Sequence, residues 1–139
     1  MAEATLSKRE FETLSQFRYQ LRRFLRFSEQ VTRRHGITPL QYLLLLHIKG
    51  YPGREWATVG ELAERLQSQH HGVVALVSRC AAQGWVSRQQ STTDRREVEV
   101  HLTAEGQRMV DGVARLHREE LLNLEGAFEV PRIQNLLAD

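Results

Sequence analysis

Asp94, Arg95 and Arg96 follow the turn-forming pair Thr92-Thr93, so a carboxylate and two guanidinium groups stand together at a chain reversal. Arginine at such a tip suits a narrow nucleic-acid groove, where the negative potential is strong. A neighbouring carboxylate can hold a guanidinium by a charge-assisted hydrogen bond. A second group of candidates lies upstream: Ser68, Gln69, His70 and His71, then Ser78 and Arg79, with Arg88 beyond. These side chains hydrogen-bond to base edges or pair with phosphates.

Other chemistry is poorly provided for. The sequence has no glycine-rich phosphate loop, no nucleophile elbow and no zinc-hydrolase motif, so neither an enzyme nor a cofactor is expected. His70 and His71 are adjacent and diverge on a helix, no His-x3-His pair exists, and His117 with Glu120 is a common one-turn spacing. No metal site is expected. The single cysteine, Cys80, rules out an intrachain disulfide and a Cys-only zinc site.

Periodicity indicates the elements that must position these residues. From about Ser7 to His35, Phe17, Leu21, Phe24, Ser28 and Val31 recur at helical spacing, with Arg18, Arg22, Arg26, Arg33 and Arg34 on the other side and Gly36 as the stop. Thr38-Pro39-Leu40-Gln41 is a capping box that opens a helix apolar almost all round, and therefore buried, through Ile48. Thr58-Val59-Gly60-Glu61 is another box, opening a short helix with Leu62, Ala63 and Leu66 on one face. A polar turn at Gln67-Ser68-Gln69 leads into a helix over Ser68 to Gln83. Val73, Leu76, Val77 and Cys80 face inward there, and Ser68, His71, Ala75, Ser78 and Ala82 face outward. Two helices joined by a short turn form a helix-turn-helix.

After Gly84 the period changes to two, with strands over Trp85–Gln90 and Glu97–Leu102 forming a β-hairpin. A long helix follows the N-cap Thr103 and carries Met109, Val113, Leu116 and Leu124. A short helix after Pro131 holds Ile133, Leu136 and Leu137. The fold class is thus mainly α with a small β-hairpin.

The 139 residues suit one domain, and 41% apolar with 26% charged is an ordinary globular balance. Net charge is only +2, but residues 1–49 carry +5 and residues 103–139 carry −3. A nucleic-acid face must therefore come from sorting charges within the fold. No aliphatic run spans a bilayer and no secretory signal is visible, so the expectation is a cytoplasmic protein without a membrane partner.

In its order of elements and in its residues, the chain resembles the multiple-antibiotic-resistance regulator (MarR) family. Three pieces carry the resemblance: Glu61-Leu62-Ala63-Glu64-Arg65-Leu66, then Gly84-Trp85-Val86-Ser87-Arg88, and above all Asp94-Arg95-Arg96 followed by Leu102-Thr103-Ala104-Glu105-Gly106. The resemblance implies a winged helix-turn-helix over about 38–102, flanked by dimerisation helices at about 7–35 and 104–139. It implies a homodimer on a palindromic operator in double-stranded DNA, with a recognition helix in the major groove and a wing in the minor groove. It also implies release by a small aromatic or apolar effector. A winged-helix module that binds protein instead of DNA is the alternative.

By the resemblance Arg96 is the inserted wing residue, with Asp94 orienting it or bracing the tip through Arg88. Arg79 and Arg88 are phosphate candidates, and His70 either packs at the turn or touches phosphate. The chain departs from the family pattern at His71, Gly72, Val74 and Ala75, so base readout is expected from Gln69, His71 and Ser78. Cys80 reads as a small core residue. An effector site between the dimer helices and the winged domain would draw on Tyr19, Phe24, His47, Tyr51 and Trp56.

Overall fold

A computed structural model describes residues 5–123 of the chain. The expected Leu124 contact and the helix after Pro131 lie outside the described residues. In chain order the elements are α1 (Lys8–Arg34), α2 (Pro39–Lys49), β1 (Trp56–Thr58), α3 (Val59–Leu66), α4 (His70–Ala82), β2 (Val86–Gln90), β3 (Val98–Leu102) and α5 (Ala104–Asn123).

Local chemistry explains most of these boundaries. α1, α2 and α3 each begin with a complete capping box, at Ser7/Glu10, Thr38/Gln41 and Thr58/Glu61. Each box satisfies backbone N–H groups that the helix cannot satisfy itself. Gly84 ends α4 with φ +82°, a conformation that carries a steric cost for any side chain.

Three sequence expectations need correction. The hairpin is part of a three-stranded antiparallel sheet in the order β1-β3-β2, because Trp56, Ala57 and Thr58 pair with His101, Val100 and Glu99. The fourth helix starts at His70 and not at Ser68. Gln67 takes a left-handed conformation (φ 51°, ψ 46°) and Ser68 N–H donates back to Ala63 O at 3.0 Å, so Ser68 closes α3. And α2 is not buried all round: Leu44, Leu45 and Ile48 are fully buried, but Leu40 and Leu43 are exposed.

The core gathers Leu44, Leu45, Ile48, Leu62, Val73, Val77, Val100, Val110 and Val113, all but completely removed from water. Each such side chain is worth about 1.5–3 kcal/mol of burial. One seam fixes the sheet against α4 and α5. Thr103 N–H donates to Trp85 O at 3.0 Å, Thr103 Oγ1 donates to Gly84 O, and the same Oγ1 accepts from Gly106 N–H at 3.1 Å. Gly106 packs so closely there that a Cβ would stand 2.0 Å from Trp85 O. This contact gives the Leu102-Thr103-Ala104-Glu105-Gly106 segment its physical meaning: threonine caps α5, and glycine lets α5 approach the strand that follows α4.

Candidate nucleic-acid interface

α4 packs through Val73, Leu76, Val77 and Cys80, as its stripe predicts. Burial pushes the Cys80 thiol up to about 11 against the opposing charge of Arg79, so the group stays a protonated core thiol. The remaining surface of α4 is open: His70, His71, Gly72, Val74, Ala75, Ser78, Arg79 and Ala82 are all exposed. Both histidines point outward, so His70 does not pack into the turn. Ser68 and Gln69 are exposed just ahead of the helix. Gln69 is the N-cap but its side chain makes no capping hydrogen bond, and the first turn carries no acidic residue.

A hydrogen bond joins the hairpin to this surface. Arg88 Nη1, on β2, donates to Ser78 Oγ on α4 at 3.0 Å. Arg88 is therefore engaged with the helix and does not brace the hairpin tip. At the tip, Asp94 Oδ1 accepts from Arg96 N–H at 3.0 Å and from Arg96 Nε at 3.3 Å. The backbone bond first, and the guanidinium second, hold the Asp94 carboxyl below its ordinary range. Ser91 is buried behind the tip and its Oγ accepts from Asp94 N–H at 3.2 Å, while Gln90 Nε2 donates to Arg95 O. The turn is thus fixed from within, and the side chain of Arg96, 91% exposed, projects from a fixed base.

A groove of about 830 Å³ opens between α1, α2 and α5, lined by Phe24, Ser28, Tyr42, Leu46, His117 and Leu121 among others. His117 is buried at its base: Nδ1 lies 2.9 Å from Val113 O and Nε2 lies 2.7 Å from Ser28 Oγ. A carbonyl only accepts, so Nδ1 carries the hydrogen, and in the neutral ring Nε2 accepts from the serine hydroxyl. Tyr42 stacks on the imidazole at 4.8 Å, and Phe24 and Phe27 meet it nearly perpendicular.

Residues 35–97 match the sequence profile of the MarR family, a span running from the end of α1 to the tip of the hairpin. Over this span the chain is similar to the MarR family. Among its relatives is the HTH-type transcriptional repressor MdtR of Bacillus subtilis (strain 168), 30% identical over 73 residues, or 52% of this chain and 45% of MdtR. The chain spans about half the length of the curated relatives it matches. Among solved structures, a MarR family protein from Bacillus stearothermophilus has a TM-score of 0.74 at 22% identity, covering 90% of this chain and 86% of that one. The S. aureus MepR F27L mutant, bound to an oligodeoxyribonucleotide, has a TM-score of 0.66 at 20% identity, covering 96% and 89%. At these identities the likeness is one of fold.

Within this MarR-family fold, the residues proposed from sequence divide sharply. Ser68, Gln69, His70, His71, Ser78, Arg79 and Arg88 come together along α4 and its flank, with Asp94, Arg95 and Arg96 at the hairpin tip. The five effector candidates do not gather. Phe24 alone lines the groove. Tyr19 is exposed, with Arg23 over its ring at 5.6 Å, and His47 is half-buried, its basicity lowered by burial and by the charge of Arg65. Tyr51 and Trp56 belong to another cluster, where the Arg54 guanidinium sits 4.4 Å from one ring centre and 3.8 Å from the other and bonds to Glu61. The groove residues that sequence reasoning missed include Ser28, Tyr42 and His117. Ser28 stood on the apolar stripe of the first helix, which was the available signal.

Proposed function

We infer that this chain is a DNA-binding transcription regulator that acts as a homodimer, represses, and is released when a small aromatic or apolar molecule enters the groove. The carrying observation is that the outward face of α4 and the arginine tip of the hairpin are both open to solvent and tied together through Arg88 and Ser78. A helix placed in the major groove would then carry the wing toward the flanking minor groove, where Arg96 meets the strongest negative potential. Arg79 and Arg88 serve phosphates, while Gln69, His71 and Ser78 serve base edges. MdtR is named a repressor and MepR was solved on an oligodeoxyribonucleotide, which supports the same role here.

The homodimer reading draws support from apolar surface. Phe11, Leu14, Tyr19 and Leu25 on α1, and Leu121 and Leu122 on α5, are exposed. A second copy would cover this surface through the segments 7–35 and 104–139, of which 124–139 lie outside the described residues. The groove then lies between the dimer helices and the winged unit, where a ligand can alter the spacing of two recognition helices. No helix among the described residues is long and apolar enough to cross a membrane.

The testing experiment is selection of bound sequences from random duplex DNA by the purified protein. The expected outcome is a palindrome whose half-sites are roughly 34 Å apart, bound more weakly as salt rises. A protein-binding winged helix is the second reading, favoured by how few base-pairing side chains α4 presents. A complete absence of salt-dependent binding in dilute buffer would establish that reading and end the first.

A further inference from the structure

We propose that Val74, with Ala75 beside it, is a specificity-determining contact for the C5-methyl group of a pyrimidine, which in unmodified DNA is thymine. The inference rests on the DNA-binding reading above and adds to it which base feature α4 reads.

Val74 is 44% exposed on the outward side of α4. The other large apolar side chains left in water among the described residues lie on α1, α2 and α5 or just ahead of α1, the elements proposed above to face a second copy. Val74 stands apart from that surface, one turn into the helix that carries the hydrogen-bonding residues. A β-branched residue lowers helix propensity, and one this exposed regains only part of that loss by burial.

The polar inventory of the same face is short. Ser78 Oγ accepts from Arg88, which leaves its hydroxyl hydrogen for a base edge, and His71 is the other hydrogen-bonding side chain within these turns. Ala75 and Ala82 offer only methyl groups, and Gly72 offers no side chain. Arginine, asparagine and glutamine, the side chains that read purines by paired hydrogen bonds, are absent from the stretch between His70 and Ser78. What Val74 and Ala75 can do in a major groove is make apolar contact, and among the standard bases only thymine presents a methyl group there. The early turns of a recognition helix are also where base edges come closest.

The test uses the full chain and the half-site obtained by selection. Each thymine is replaced in turn by deoxyuridine, which removes only the methyl group, and affinity is measured at fixed salt. At the thymine that Val74 touches, binding should weaken about fourfold, the worth of one buried methyl. In Val74→Ala that thymine-to-uracil ratio should fall to about one while the salt slope is unchanged. Val74→Ala should also melt at or above the parent temperature, which separates the loss from misfolding. Placing 5-methylcytosine in a cytosine-substituted site at the same position should restore part of the loss, and cytosine alone should not. If the protein binds its site with the ordinary salt dependence but treats thymine and deoxyuridine alike at every half-site position, the methyl contact is wrong and DNA binding stands. If Val74→Ala keeps the parent ratio at every position, the reader is not Val74. No binding by the parent protein at any salt would remove the DNA-binding reading itself.

Discussion

Gly106 and Gly72 both lie inside helices, and their surroundings are opposite. A Cβ at Gly106 would stand 2.0 Å from Trp85 O, whereas one at Gly72 would meet nothing within 4 Å. Glycine inside a helix costs about 1 kcal/mol against alanine. At Gly106 the fold itself recovers that cost, because α5 can close on the backbone between α4 and β2. At Gly72 no neighbour among the described residues recovers it, and the open space faces the proposed nucleic acid. Two arginines divide the same way. Arg54 is stacked on Trp56 and Tyr51 and bonded to Glu61, while the Arg96 side chain is bonded to its near neighbour Asp94 and is otherwise 91% exposed to solvent. The comparison separates residues consumed by the fold from residues left available to a partner, and it does so where residue type alone cannot.

The strongest test of the inner set is Gly106→Ala. The clash is with a backbone carbonyl, which cannot swing aside like a side chain, so α5 must shift and the Thr103 cap with it. We expect a loss of about 3 kcal/mol or more in urea unfolding. A loss below about 1 kcal/mol would mean that the seam is looser than its geometry.

Arg54→Ala comes next, with an expected loss of about 2 kcal/mol from two ring contacts and a charged hydrogen bond. The salt slope of DNA binding should not move, because this arginine is consumed internally. The partner carboxylate gives a pH signature. Burial raises the pKa of Glu61, but bonds from Tyr51, Thr58 N–H and Arg54 outweigh it and hold the carboxyl at about 2 instead of its ordinary 4.5. The folded state therefore favours the carboxylate, so the stabilisation is complete above about pH 4.5 and is lost as pH falls from there toward 2. The stability gap between the parent and Glu61→Gln should narrow over that window. A gap independent of pH would show that the bonds to Glu61 do not bias its ionisation.

Arg96→Ala should reverse the pattern of Arg54→Ala. Unfolding stability should stay within about 0.5 kcal/mol of the parent, as for other exposed substitutions. Affinity for the selected site should fall about tenfold, and the salt slope should drop by about one. An unchanged slope would place the tip away from the phosphates.

The parts of this architecture legible in sequence were those decided within a few residues. The boxes at Thr38/Gln41 and Thr58/Glu61, the stripe from Val73 to Cys80, and the Asp94–Arg96 pair all join residues two to four apart, or one helical repeat. β1 was not legible, because three residues are too few for an alternating pattern and their partners lie more than forty positions away. The start of α4 was misplaced because Gln67 takes a left-handed conformation that glycine or asparagine usually signals. The bond from Arg88 to Ser78 crosses from strand to helix, and the one between His117 and Ser28 spans 89 positions. Their formation depends on how the helices pack, which also explains why effector residues chosen by sequence order scatter over three regions.

Gly72→Ala carries the smallest expected change and the sharpest reading of the comparison. Alanine fits the helical backbone there, and the space for its methyl group is empty. The substitution should therefore stabilise the fold by about 0.5–1 kcal/mol, partly by restricting the unfolded chain. If the space belongs to DNA, the same methyl group should weaken binding to the selected site while raising the melting temperature, so stability and affinity move in opposite directions. A gain in stability with unchanged affinity would make Gly72 a plain defect in the helix. A loss of stability would place some part of the chain in that space and dissolve the contrast with Gly106.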